Sequence, residues 1–187
     1  MSKDFEQYKK VVLEYLATDA ATIFGNFTRA HAEFVINSFL DDVQSDLVIL
    51  SGSFPNDLYF SANEKFVNAV RRVNHNGGKI RVITLNNQFP SIKKLDELCR
   101  EFPGTLSHYA ANYSGNEPIS HFMVVDKKRY RLEAPHAPVT TQEESKADRR
   151  AEVCCNGPVK VRELLTFFDL VWSHLERQMK EPVPSTK

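Results

Sequence analysis

The chain has 187 residues, 42% of them hydrophobic and 11% aromatic, which suits one domain with a substantial core and is too short for two of ordinary size. Its 24 basic and 24 acidic residues cancel, with a pI near 7.0; that balance speaks against a coat protein living on nonspecific phosphate contacts. The three cysteines, Cys99 and the adjacent Cys154 and Cys155, include no CxxC pair, which argues against a disulfide framework and a cysteine-based zinc site.

The opening MSKDFEQYKK has no apolar stretch of signal type. No run approaches the roughly 18 apolar residues of a membrane span, so a cytoplasmic location is expected. Phe5, Tyr8, Val11, Val12, Tyr15 and Leu16 recur at the spacing of an amphipathic helix over residues 3–18. A second helix is predicted from Thr28 to Val43, with Phe34, Val35, Ile36, Phe39 and Leu40 on its apolar face. Asp41 and Asp42 end it where the macrodipole disfavours acids. Asp46–Leu50 reads as a short buried strand. The loop Ser51-Gly-Ser-Phe-Pro55 follows at its carboxyl end, where α/β proteins place ligands. Ser51 and Ser53 are candidate ligand contacts there, or else turn and cap residues.

Residues 63–76 carry Phe66, Val67, Val70 and Val73 at helical spacing and close on Asn76-Gly77-Gly78. Arg71, Arg72, His75 and Lys79 are expected on a solvated face. Lys79–Leu85 alternates as a strand, and Ser91 is the expected N-cap of a helix running to Glu101 and stopped by Pro103-Gly104. Thr105–Ala111 is a weaker strand. Residues 118–126 then turn into Arg129-Tyr-Arg-Leu-Glu133 as a β-hairpin. A polar loop over Thr140–Arg150 leads to a strand at Ala151–Cys155, one cysteine pointing inward and the other outward. A long helix from Pro158 to Met179 has proline in its first turn and Phe167, Phe168 and Trp172 in the core. The tail after residue 180 reads as disordered. This order predicts an α/β fold, a mixed sheet with helices on both faces. It divides into an N-terminal helix over 1–18, a domain over 19–180 and a tail over 181–187.

A two-residue turn at Lys127-Lys128 sets Asp126 opposite Arg129 and Val124 opposite Arg131. Ile119, His121, Met123 and Val125 then share a face with Tyr130, Leu132 and His136, while Arg131 and Glu133 share the other; a slip of one residue exchanges these partnerships. Two readings of the hairpin stand. His121 and His136 grip an anion or phosphoryl group, or they are a half-buried strand residue and a loop residue. Arg131 and Glu133 form a structural ion pair with Asp126 drawn in, or Arg131 clamps a phosphate and Glu133 is a base. No nucleophile elbow, glycine-rich phosphate loop or HExxH pattern is present, and metal-ligand spacing is absent, so neither cofactor nor metal is expected.

Asp46–Leu50, the helix closed by Asn76-Gly-Gly, the strand Lys79–Leu85, the hairpin and a final helix carrying Phe168-Asp-Leu-Val-Trp172 together resemble one half of the phospholipase D-like fold, over roughly residues 28–178. That family's motif is H-x-K-x4-D-x6-G-S-x-N. Aligned on the hydrophobic run and its closing aspartate, the motif aspartate falls on Asp126, the nucleophilic histidine on Ile119 and the lysine on His121. The Gly-Ser pair falls on Glu133-Ala134 and the asparagine on His136. In the family a histidine attacks phosphorus and a second motif's histidine protonates the leaving oxygen; Ile119 can do neither.

The resemblance therefore implies a noncatalytic module with a single, degenerate motif copy. It would bind a partner protein, a second copy of itself, nucleic acid or a phosphorylated ligand, as an accessory of the kind found in bacterial mobile-element and phage-defence assemblies. Ser51, Ser53, His121, Asp126, Arg131, Glu133 and His136 are its candidate ligand contacts, and the first helix is a candidate docking or dimerisation element. The alternative is a phosphodiesterase or nuclease with rebuilt chemistry, His121 and His136 serving as acid and base with Glu133 as a further candidate.

Overall fold

The structure is a computed structural model that describes residues 3–52, 54, 59–60, 64–86, 89–111, 113, 115, 117–136 and 147–180. The elements run α1 (Lys3–Ala17), β1 (Ile23–Asn26), α2 (Arg29–Asp42), β2 (Asp46–Ser51), α3 (Lys65–His75), β3 (Lys79–Thr84), α4 (Pro90–Glu101), β4 (Leu106–Ala110), β5 (Phe122–Val125), β6 (Arg129–Glu133), β7 (Ala151–Cys154) and α5 (Pro158–Lys180). The strands form a seven-stranded sheet in the order β1-β7-β6-β5-β2-β3-β4. β2, β3 and β4 run parallel, and the other pairings are antiparallel. The expected mixed sheet with helices on both faces is what forms.

The two faces are covered unequally. On one, α1 to α4 bury Val12, Phe39, Phe66, Val70 and Leu95 against Leu47, Ile49, Ile80, Val82, Met123 and Val125. On the other, α5 alone packs Val161, Leu164 and Phe168 onto Val48, Leu50, Ile83, Phe122 and Val124. Because both faces are dry, neither adjacent cysteine points outward. Cys154 lies in the α5 core and Cys155 in the other, both buried. Phe168 is buried as expected and Trp172 packs on it and on Tyr109, but Phe167 is 48% exposed. Helix α1 turns its apolar face inward: Tyr8 stacks on His31 at 3.9 Å and Tyr15 meets Phe24 edge-on. Tyr8 and Tyr15 thus pack within the fold.

β1 was not expected. Four residues including a glycine give no alternation to read, and β1 exists because β7 pairs with it, Phe24 opposite Val153 and Asn26 opposite Ala151. Thr28 caps α2 by accepting a bond from the His31 amide at 3.2 Å. α4 begins at Pro90, so Ser91 is a buried residue of its first turn and not its cap. Arg72 is not on a solvated face: its Nε donates to the Val43 carbonyl at 2.6 Å and its Nη2 to the Leu40 carbonyl, satisfying the last turn of α2. The acids closing that helix have partners too, Asp41 with Lys65 and Asp42 with Arg129.

The hairpin turns on three residues, Asp126 to Lys128, and Val125 stands opposite Arg129, Met123 opposite Arg131. This is the one-residue slip from the expected register. It puts Arg129, Arg131 and Glu133 on the face of His121, Met123 and Val125, and Tyr130 and Leu132 on the α5 side. The cause is Asp126. Its carboxylate accepts from the amides of Gln44, Ser45 and Asp46 at 2.8–3.0 Å and from Ser45 Oγ at 3.1 Å. Its own amide donates to the Asp46 carbonyl. These bonds hold Asp126 and Lys127, the first two of the three turn residues, in the left-handed region, φ 47° and 57°.

Candidate functional site

The antiparallel ladder carries past the ends of the hairpin strands. The Glu133 amide donates to the His121 carbonyl at 2.8 Å, and Ile119 bridges His136. With Arg131 two residues before Glu133, four ionisable side chains converge on the four-helix face, and Arg149 joins them as a fifth. Glu133 is the centre. Its Oε2 accepts from Arg131 Nη1 at 2.9 Å and its Oε1 from His136 Nε2 at 2.9 Å. Arg149 Nε stands 3.6 Å and His121 Nδ1 3.9 Å from the same Oε1. The two imidazoles meet edge to face, centroids 4.4 Å apart. Arg131 Nε donates to Asn26 Oδ1 at 2.7 Å, and Asn26 is fully buried. The His121 ring lies over Gly52 at the end of β2, where a Cβ would come within 2.5 Å of its Cε1; only glycine leaves the ring that space.

Burial disfavours the charged imidazole and brings the His121 pKa down to about 4, against the opposing pull of Glu133. Near neutrality His121 is uncharged, so its 3.9 Å approach to Glu133 is a dipolar contact and not an ion pair. Burial opposes ionisation of Glu133, but the hydrogen bond from His136 and the charge of Arg131 outweigh it and hold the acid at about 2. The cluster therefore contains one fixed carboxylate, two guanidinium groups and two imidazoles around it. It can hold a proton between rings or coordinate a cation, while an incoming anion finds its cationic groups already facing a carboxylate.

The other described sequence candidates bond to partners outside the cluster. Ser51 Oγ accepts from the Phe54 amide at 2.9 Å and closes the turn after β2, the structural role weighed for it. Ser53 lies outside the described residues. Asp126 sits at the far end of β5, five residues from His121 and so about 17 Å along the strand; its oxygens are taken up by the α2–β2 junction, not by Arg129 or Arg131. Burial opposes ionisation of Asp126, but those backbone bonds prevail and lower its pKa. Asn26 and Arg149 belong to the cluster without having been singled out. Asn26 lies on the unexpected β1, and its signal is a polar residue ending an otherwise apolar strand. Arg149 closes the polar segment before β7, where composition reads only as loop.

No protein-family model matches the sequence, and no curated protein matches it. Solved structures do match in fold. TrmBL2, an archaeal chromatin protein with a novel mode of DNA binding, superposes with TM-score 0.59 at 13% identity over 92% of this chain. The alignment spans only 62% of TrmBL2. Nuc, a phospholipase D family member from Salmonella typhimurium, gives TM-score 0.59 at 16% identity, covering 81% of this chain and 94% of Nuc. NucT from Helicobacter pylori gives 0.54 at 12% identity, covering 81% and 96%. Sheet, helices and hairpin together have the phospholipase D-like fold expected from the sequence.

Proposed function

We propose that the chain is a noncatalytic phospholipase D-like module that binds a partner protein. The observation that carries this reading is Glu133, whose carboxylate sits among Arg131, His136, Arg149 and His121, where a phosphoryl group would have to be gripped. A phosphate about 4 Å from that carboxylate meets a repulsion of about 4 kcal/mol at a near-surface dielectric, which offsets the attraction of one arginine. Ile119 supplies no nucleophile, and His121 is directed at Glu133.

The protein-partner part of the reading rests on edge strand β1. Ile23 is 59% exposed there, and Phe27, just past the end of the strand, is 58% exposed. Ile23 also borders a groove of about 520 Å³ shared with Tyr130, Cys154 and Val159. An exposed apolar edge of this kind accepts an extended segment of another protein as an added strand. Nucleic acid is the second reading, favoured by the shared fold with a DNA-binding chromatin protein. The balanced charge and the engagement of Arg72, Arg81, Arg129 and Arg131 within the fold weigh against it.

The test is incubation with single- and double-stranded DNA, RNA and bis(p-nitrophenyl) phosphate, with and without divalent metal. No turnover is expected; turnover lost on His121→Ala would make the chain an enzyme. A protein partner should be retained by His121→Ala and lost on Ile23→Lys. DNA binding with a steep salt dependence would put nucleic acid in its place. Among the described residues no helix is long and apolar enough to cross a membrane.

A further inference from the structure

We propose that His121, Glu133 and His136 form a binding site for a divalent transition-metal ion of the zinc class. Their donor atoms lie within 4.8 Å of one another; a tetrahedral ion with bonds near 2.0–2.1 Å sets its ligands about 3.4 Å apart, so the three donors need draw in by about 1.4 Å at most. Two imidazoles and one carboxylate are a donor set that zinc takes, with water in the fourth position. The sequence spacing, twelve residues and then three, matches no familiar metal motif. The ladder brings the three together by setting Glu133 against His121 and His136 against Ile119.

Three features of the surroundings suit an ion. Arg131 holds Oε2 of Glu133 and leaves Oε1 as a single donor atom, the outer hydrogen bond that ligating carboxylates ordinarily carry. Arg131 is itself fixed by the buried Asn26. The His121 ring sits against the Gly52 backbone, which confines its orientation. Binding requires His136 to present the Nε2 lone pair, its proton residing on Nδ1, in exchange for the bond Nε2 now donates to Glu133. Arg149, 3.6 Å from Oε1, is the cation the metal displaces. The inference stands on the cluster's geometry and holds whether or not the chain turns over phosphodiesters.

The experiment is calorimetric titration of the chelator-stripped full chain with zinc chloride, together with X-ray absorption of the loaded protein. Saturable binding at one ion per chain is expected, with nitrogen and oxygen but no sulfur in the first shell. His136→Gln keeps a side-chain donor facing Glu133 but loses the imidazole; it should weaken binding about tenfold or more. Cys99→Ser should leave binding unchanged. At a fixed zinc concentration the melting temperature should rise more for the wild type than for His136→Gln. Sulfur ligation, equal binding by wild type and His136→Gln, or no saturable binding by the wild type would overturn the proposal.

Discussion

At the turn end of the β5–β6 hairpin Arg129 pairs with Asp19 and Asp42, and at the other end, on the same face of the same strand, Arg131 pairs with Glu133. Both arginines are buried, at 5% and 6% exposure, but their acids differ. The side chains of Asp19 and Asp42 are 45% and 47% exposed, whereas that of Glu133 is 12% exposed. The exposed acids can return to water if their arginine is lost, and the buried one cannot. The same residue types thus make a clamp at one end and a mutually dependent network at the other. Only at the network end do imidazoles stand close enough to add chemistry.

The largest expected effect separates the two ends directly. Arg131→Met strands the Glu133 charge and the Asn26 carbonyl, and should cost about 3–5 kcal/mol in urea unfolding. Arg129→Met should cost about 1–2 kcal/mol, because both acids remain solvated. Equal costs would break the distinction. Next comes Asp126→Ala, expected to lose about 2 kcal/mol through the unpaired amides of Gln44, Ser45 and Asp46. Unchanged stability there would mean that the turn is not set by this carboxylate.

The pH dependence sharpens the comparison further. His121 has a folded pKa of about 4, below its ordinary value of 6.5. Between those values the unfolded chain holds a proton that the folded chain does not, so stability rises with pH across the window and falls on acidification. Up to about 3 kcal/mol should be lost from pH 7 to 4 in metal-free buffer. His121→Gln should flatten that slope. Below pH 4.5 Glu133 adds a second loss, its folded pKa being depressed to about 2. The smallest effect is expected at Asp19. Its pKa is lowered chiefly by the bond from Lys128, but it lies at the surface, so Asp19→Asn should change stability by less than about 1 kcal/mol.

The helices and the inner strands were legible because each is a periodic response to a buried face. Leu47, Ile49 and Val82 read as strand, and Phe66, Val70 and Val73 as helix, without reference to anything distant. The register of the hairpin was not legible. It depends on a carboxylate at Asp126 finding the backbone of residues 44–46, some 80 positions earlier. That single residue of slip decided which side chains meet His121. Asn26 and Arg149 were missed for the same kind of reason, since both reach the site through pairings with sequence-distant strands. The aspartates ending α2 made no local sense against the helix dipole until Lys65 and Arg129 supplied their partners. Local physics reveals elements, and long-range pairing assembles sites.

The central claim is that Glu133 fills the seat a phosphate would take. Its most direct test is titration of inorganic phosphate into the metal-free chain, followed by the ring ¹⁵N resonances of His121 and His136. The wild type should show no saturable shift, while Glu133→Gln, with the carboxylate charge removed from beside Arg131, should bind phosphate and shift His136. Saturable phosphate binding by the wild type at these rings, unaffected by Glu133→Gln, would contradict the account.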